Sequence, residues 1–98
     1  MPAYIMVDVT INNPDEYETY KQLTPASVKA YNGKFIVRGA TSETLEGNWQ
    51  HGRLVIIEFP SVTWAKEWWN SEEYAVAKAI RQKAATTNMI LLEGFRDN

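Results

Sequence analysis

Residues 35–39, 45–49, 52–61 and 68–74 read FIVRG, LEGNW, GRLVIIEFPS and WWNSEEY. The third segment decides the fold. The aliphatic run from Arg53 to Phe59 predicts a strand, and Pro60 ends it because proline cannot donate to a strand ladder. Ser61 then suits the N-cap of a tryptophan-bearing helix. A strand that passes almost directly into a helix indicates a domain of mixed α and β structure.

The rest of the chain supplies further elements of both kinds. Alternating apolar residues predict a first strand, and Asn13 before Pro14 predicts the start of a helix. Pro25 either kinks this helix or starts a second segment. The predicted strands are Ala3–Ile11, Lys34–Gly39, Arg53–Phe59 and Asn88–Phe95, with a short extra strand near Thr41–Leu45. The predicted helices begin at Pro14, after Ser61 and after Ser71, the last running to about Ala84.

The order βαββαβ predicts a ferredoxin-like α+β fold, an antiparallel sheet with helices on one face. With 98 residues, the chain is expected to form one domain over residues 1–98.

Composition narrows the classes of function. The formal net charge is −2, and the lysines and arginines form no stripe, so neither nucleic acid nor a membrane is an expected partner. The chain has no cysteine and one histidine, so no metal site and no cofactor is expected. The absence of cysteine and of a basic leader favours the cytoplasm.

Strand parity predicts a homodimer. One face of the strands is wholly apolar and is assigned to the helices, with Ile90 and Leu92 of the last strand on it. The opposite face is also mostly apolar, whereas an antiparallel sheet with one wet face should alternate apolar and polar residues. The helices of one chain can cover only one face, so a second copy is expected to cover the other, the two sheets face to face.

This second face also carries a charge near the end of each strand, at Asp8, Arg38, Glu58 and Glu93. In a ferredoxin-like order the first and third strands are expected to be parallel neighbours, which places Asp8 and Glu58 near each other at one end. Arg38 and Glu93 are then expected on edge strands at the other end, where a dimer could bring them together across chains. Such a group is either a polar pocket holding an acid or base with a raised pKa, or an ion pair with solvated carboxylates around it.

Aromatic and polar residues near the loop are further candidates. Trp68 and Trp69 are adjacent, so both cannot face the core, and Trp69 is expected to reach an interface or a ligand cleft. Trp49 lies in a glycine-flanked loop and is expected to act as a lid or to pack on a partner. Ser61 could hold an anion together with the helix N-terminus, although plain N-capping explains it as well. His51, in the polar segment NWQHG, is interpreted as an exposed histidine.

The segments VRG at Val37–Gly39, LEGNW, RLVIIEFPS, the S-x-E-Y of Ser71–Tyr74, Arg81 and Glu93-Gly94 occur in an order that resembles the bacterial domain-of-unknown-function 1330 family. The resemblance covers nearly the whole chain and implies a dimeric α/β barrel. Relatives of that fold include cofactor-free monooxygenases, isomerases, muconolactone-type enzymes and heme-degrading proteins. The matching motif positions imply that the following residues line a pocket or its rim: Arg38, Glu46, Trp49, Arg53, Glu58, Ser61 and Tyr74.

Three functions follow as hypotheses, of which heme binding or degradation is disfavoured because the sole histidine lies in a hydrophilic loop away from any apolar helix. The first is a cofactor-independent enzyme acting on a small organic acid or aromatic compound. In it, Arg38 or Arg53 binds the anion, Glu58 or Asp8 moves a proton, and Tyr74 or Trp49 shapes the pocket. The second is a non-catalytic or stress-associated protein that binds a small molecule. Fold analogy alone does not decide between them.

Overall fold

The computed structural model describes residues 1–95, so residues 96–98 of the predicted domain lie outside the described part. Four strands and three helices follow one another along the chain: β1 (Ala3–Ile11), α1 (Pro14–Ala30), β2 (Lys34–Arg38), β3 (Arg53–Phe59), α2 (Val62–Trp69), α3 (Glu72–Ala84) and β4 (Ala85–Glu93). The strands form one sheet in the order β2-β3-β1-β4, and every neighbouring pair is antiparallel. The predicted ferredoxin-like architecture is confirmed.

Local sequence signals set the starts of all three helices. The side chains of Asn13, Ser61 and Ser71 each accept a hydrogen bond from a backbone N–H of the first helical turn. These bonds satisfy donors that have no partner within the helix. The helix α1 continues through Pro25 as one element, so Pro25 does not divide it into two segments.

The core lies between the helices and one face of the sheet. Trp68 stacks on Tyr74 with their ring centroids 4.0 Å apart, and Phe59 packs on Trp68. The Trp68 indole N–H donates to the Ser27 hydroxyl at 3.1 Å, so the largest buried aromatic residue has its polar atom satisfied. Among residues 1–95, no helix is both long enough and apolar enough to span a membrane.

The structure corrects the last strand. β4 begins at Ala85, three residues before the predicted start, because α3 passes into it with Ala85 already extended. Ile90 and Leu92 are 54% and 43% exposed on the face away from the helices, whereas Met89 and Leu91 pack against the core. The prediction was the reverse. Four consecutive apolar residues carry no parity signal, and the pairing of Met6 with Ile90 decides which face each occupies.

The predicted arrangement of the four charges is also wrong. β1 and β3 are antiparallel, so Asp8 lies opposite Leu54 while Glu58 lies opposite Tyr4. Four residues of strand separate these positions, about 14 Å at the usual rise. Glu93 lies at the Glu58 end of the sheet, and Arg38 lies at the Asp8 end.

A bulge moves Arg38 to the opposite face from the one predicted. The register of β2 against β3 shifts between Phe35 and Val37, so Arg38 pairs with Val55, whose side chain faces the helices. An extra residue in a strand reverses the facing of every residue that follows it. The segment between Gly39 and Gly52 has no strand, so the short strand predicted near Thr41–Leu45 does not form.

Candidate functional site

A cleft lies between α1 and the β2–β3 side of the sheet, and three basic side chains line it. Its inner part is a cavity of about 20 Å³ and its outer part is a surface hollow of about 350 Å³, and the two share three lining residues. Arg38, Arg53 and Lys21 line both parts, and Tyr17 lines the inner one. We call this the cationic cleft.

Arg53 is held at the inner end of the cationic cleft. Its Nη1 donates to the Tyr17 hydroxyl oxygen at 3.0 Å, and its guanidinium carbon lies 5.6 Å from the centre of the Tyr17 ring. Gly39 makes room for this side chain, because a Cβ at that position would lie 2.5 Å from Arg53 Nε. Gly39 also has a φ of +67°, which L side chains rarely adopt. The glycine of the VRG segment therefore fixes where Arg53 can lie.

Arg38 is positioned by a proline in the neighbouring helix. Pro25 has no N–H, so the Lys21 carbonyl four residues earlier lacks its helical donor. Arg38 Nη2 donates to that carbonyl at 2.9 Å, and its guanidinium carbon lies 4.5 Å from the centre of the Phe35 ring. A guanidinium has five N–H groups, so Arg38 keeps most of its donors for another acceptor.

The electrostatic balance of the cationic cleft is positive. Its single lining carboxylate, Glu18, forms an ion pair with Lys21 at 2.9 Å, which leaves the two arginines without a carboxylate partner within residues 1–95. Burial raises the pKa of Tyr17, and the nearby Arg53 lowers it by less, so the hydroxyl is protonated at neutral pH. The cleft presents donors and positive charge, which suits an anion.

The proposed proton-moving carboxylates lie elsewhere. Asp8 Oδ1 accepts the backbone N–H of Gly52 at 2.8 Å and so anchors the end of the loop. Glu58 forms an ion pair with Lys34 at 3.4 Å on the sheet face away from the helices. Neither lines the cationic cleft. Their catalytic roles stay predictions, and the expectation that they lie beside each other is wrong.

The loop between β2 and β3 exposes its apolar residues. Trp49 is 54% exposed and packs edge-on against the His51 ring. His51 is half-buried rather than exposed. Its Nδ1 donates to the Gly52 carbonyl at 2.7 Å, because a carbonyl only accepts, and its Nε2 lies 3.1 Å from the Ser42 hydroxyl oxygen. Glu46 is exposed and lies outside the cleft lining.

The other sequence candidates have varied positions. Ser61 caps α2 by accepting the Trp64 N–H. Tyr74 is fully buried and lines neither the cationic cleft nor the groove between α2 and β4, and its role as a pocket or rim residue stays a prediction. Its hydroxyl is 2.9 Å from that of Tyr20 and accepts from Arg81.

Trp69 lines a second, largely apolar groove of about 250 Å³ between α2 and β4, together with Lys66 and Met89. The Lys78 ammonium lies 3.8 Å from the centre of the Trp69 ring, on a different helix from the tryptophan. This agrees with the expectation that one of the adjacent tryptophans reaches a cleft.

No group of three or more His, Cys, Asp or Glu in the described chain is arranged to hold a metal ion.

Sequence reasoning brought Arg38 and Arg53 into one candidate set but missed Tyr17 and Lys21. Tyr17 is 2% exposed, and the apolar spacing of α1 does not show where the hydroxyl of a buried tyrosine lies. The signal that could have revealed the cleft was Pro25, because a proline inside a helix leaves a carbonyl that needs an outside donor.

The fold and cleft define a small ferredoxin-like α+β protein with a cationic site at one side of its sheet. Residues 2–95 match the family described as a domain of unknown function, DUF1330, and the chain belongs to that family. No curated protein matches the sequence.

Several solved structures share the fold. A protein of unknown function from Rhodopseudomonas palustris is 23% identical with a TM-score of 0.75, over 98% of this chain and 84% of that one. SnoaB, a cofactor-independent oxygenase from Streptomyces nogalater, is 12% identical with a TM-score of 0.65, over 98% and 95%. A dimeric protein of unknown function from Bacteroides fragilis is 10% identical with a TM-score of 0.56, over 95% and 96%.

Proposed function

We propose that this protein is a cofactor-independent enzyme that binds a small organic acid in the cationic cleft and acts on it there. The observation that carries the proposal is the convergence of Arg38 and Arg53, both without a carboxylate partner in residues 1–95, on one opening beside a protonated tyrosine hydroxyl. Arginine binds carboxylates through paired, charge-assisted hydrogen bonds. The same groups stabilise negative charge that develops on a ligand oxygen during a reaction.

The likeness to a cofactor-independent oxygenase supports this class of activity only through the fold. A non-catalytic binding protein is the second candidate. It is favoured by the positions of Asp8 and Glu58, since neither carboxylate lines the cleft to act as a base. The cytoplasmic location stays a prediction from the absence of cysteine.

Binding is tested by titrating benzoate into the protein and following backbone amide shifts by NMR. Arg38→Ala and Arg53→Ala should each weaken binding by roughly tenfold or more, the loss of about one charge-assisted hydrogen bond. Lys34→Ala is the matched control, because Lys34 is an exposed cation whose partner Glu58 lies on the other sheet face. Equal weakening by all three variants would show a general charge effect and refute a specific site.

Catalysis is tested separately. Native mass spectrometry of freshly purified protein reports any co-purified acid, and NMR of that acid with the protein reports its consumption. Consumption that Arg53→Ala abolishes supports the enzyme. Binding without consumption supports the second candidate.

We also propose that the protein is a homodimer with the open sheet faces together. The apolar residues of that face are Tyr4, Met6, Ile36, Val37, Leu54, Ile56, Ile90 and Leu92. Three of them are more than 40% exposed in the single chain, and a contiguous patch of this kind on a small protein usually marks an interface. The dimeric relative from Bacteroides fragilis makes this assembly a natural one for the fold.

Ile56→Glu places a charge at the middle of this face and should convert the dimer to monomer in light scattering at micromolar concentration. Val76→Glu is the control, because Val76 is 66% exposed on α3, away from the sheet. A wild-type protein that is a stable monomer would refute the homodimer.

A further inference from the structure

The Tyr17 hydroxyl has a hydrogen without an acceptor. Its oxygen accepts from Arg53 Nη1, and no residue in the range 1–95 accepts from it in return. The side chain is only 2% exposed and lines the inner cavity. A buried hydroxyl that cannot donate forfeits a hydrogen bond it would make in water, so this donor calls for a partner in the cavity.

The other two buried tyrosine hydroxyls bond to each other. The hydroxyls of Tyr20 and Tyr74 share a hydrogen bond at 2.9 Å, and Tyr74 also accepts from Arg81. That bond uses one of the pair's two hydroxyl hydrogens, so within residues 1–95 an unused hydrogen is not peculiar to Tyr17. Tyr17 is distinguished by its contact with Arg53, which lines both the inner cavity and the outer hollow.

Size limits what the Tyr17 hydroxyl can meet. The inner cavity of about 20 Å³ holds a group the size of one water molecule. The outer hollow of about 350 Å³ has room for the body of a small organic acid. A ligand can therefore place one atom at Tyr17 while its carboxylate remains at the arginines.

The groups at the inner end specify the chemistry of that atom. Tyr17 O–H and the remaining N–H groups of Arg53 are donors, and the other inner lining residues include the apolar Val7, Phe35 and Ile57. A carbonyl oxygen has two lone pairs and no hydrogen, so it can accept from both donors. A methylene group in the same place would leave the Tyr17 donor unsatisfied.

We propose that the cationic cleft selects 2-oxo acids, with the carboxylate held by Arg38 and Arg53 and the adjacent keto oxygen accepting from Tyr17. This inference rests on the proposed binding of organic acids in the same cleft. Tyr17 is then a specificity-determining residue, which distinguishes an acid with a keto oxygen from one with a methylene group.

The test compares two acids of equal charge, benzoylformate and phenylacetate, which differ at one carbon by a carbonyl oxygen in place of two hydrogens. Both are titrated by NMR or calorimetry into the full chain. The wild type should bind benzoylformate roughly tenfold more tightly, which is the value of about one satisfied buried hydrogen bond.

Tyr17→Phe keeps the ring that packs against Tyr20 and removes only the hydroxyl. This variant should bind benzoylformate and phenylacetate about equally. Binding of phenylacetate also shows that the variant is folded. Tyr31→Phe is the matched control, because the Tyr31 hydroxyl donates to Glu73 away from the cleft, and this variant should keep the wild-type preference.

The outcomes separate the two proposals. If both acids bind equally to the wild type and Arg53→Ala weakens both, the anion site stands and the selection of 2-oxo acids is refuted. A preference that survives in Tyr17→Phe also refutes the role of Tyr17. If neither acid binds, the proposed function and this inference fall together.

Discussion

Replacing Gly39 by alanine should damage the cationic cleft without touching any charged residue. The new Cβ would lie 2.5 Å from Arg53 Nε, closer than a Cβ approaches its neighbours in real structures, and 3.0 Å from Arg53 Cζ, which is a tight contact. The Arg53 side chain is flexible, so it should move and give up its 3.0 Å bond to the Tyr17 hydroxyl. Gly39→Ala therefore tests whether the position of Arg53, rather than its charge alone, makes the site.

Gly39→Ala should change both the stability of the protein and its affinity for anions, and the change in stability comes from the backbone. Alanine in the left-handed region costs about 1–2 kcal/mol, and its stiffer unfolded chain returns about 0.4–1 kcal/mol. The net loss of stability is on the order of 1 kcal/mol, or about 4–8 °C in Tm for a chain of this size.

The second change is in binding. A hydrogen bond to a charged group contributes about 1.5–3 kcal/mol, and the half-buried position of Arg53 reduces this to about 1 kcal/mol. Anion affinity should therefore fall roughly fivefold.

Gly47 supplies a matched control. Its φ is +88°, so alanine there meets similar backbone strain, but a Cβ at Gly47 would have no neighbour within 4 Å. Gly47→Ala should lose about the same stability and keep its affinity for benzoate. Thermal melts by circular dichroism at equal protein concentration measure the first quantity, and NMR titration measures the second.

The result that refutes this reasoning is a Gly39→Ala protein that binds benzoate as tightly as Gly47→Ala does. The position of Arg53 beside Tyr17 would then be irrelevant to the anion site. A loss of stability in both variants without any difference in affinity would confirm only the backbone strain.

Three further perturbations address other parts of the chain. Pro25→Ala restores a helical N–H, which can bond to the Lys21 carbonyl in place of Arg38. The free energy of unfolding in urea should rise by on the order of 1–3 kcal/mol. An unchanged unfolding midpoint would contradict this. Burial and the Tyr74 hydroxyl raise the pKa of Tyr20 above its ordinary value near 10. The unfolded chain then ionises first as the pH rises, so this stabilisation is present below pH 10 and lost above it. Tyr20→Phe should show a shallower loss of Tm between about pH 10 and 11, and equal slopes would count against the argument. Asp8→Ala removes the acceptor of the Gly52 N–H and should speed proteolytic cleavage between residues 40 and 50, whereas an unchanged cleavage rate would show that the loop does not depend on this bond.

Element boundaries followed from the sequence wherever a local rule applied. Ala3–Ile11 and Arg53–Phe59 are strands as predicted, and Asn13, Ser61 and Ser71 cap the three helices. Alternation, caps and prolines act over a few residues, so they can be recognised without knowing the fold. The family resemblance came from the same local motifs and is confirmed over residues 2–95.

The sequence predicted less well which face of the sheet each strand residue occupies and which strand ends lie together. β4 has apolar side chains on both faces, so only its pairing with β1 shows that Ile90 is outside and Leu91 inside. Arg38 was assigned to the wrong face because a bulge two residues earlier, at Ile36, leaves no clear mark in the sequence KFIVR. A single inserted residue is enough to reverse a strand with period two.

The sequence alone determined the ferredoxin-like element order, the helix caps and the presence of two arginines near one loop. The tertiary structure alone decided that Arg38 and Arg53 share a cleft while Asp8 and Glu58 lie at opposite ends of the sheet. It alone decided that Tyr17 aims an unused donor into that cleft. Local order is encoded in neighbouring residues, whereas a site depends on strand direction, register and the path of one helix across the sheet, which distant parts of the chain set together.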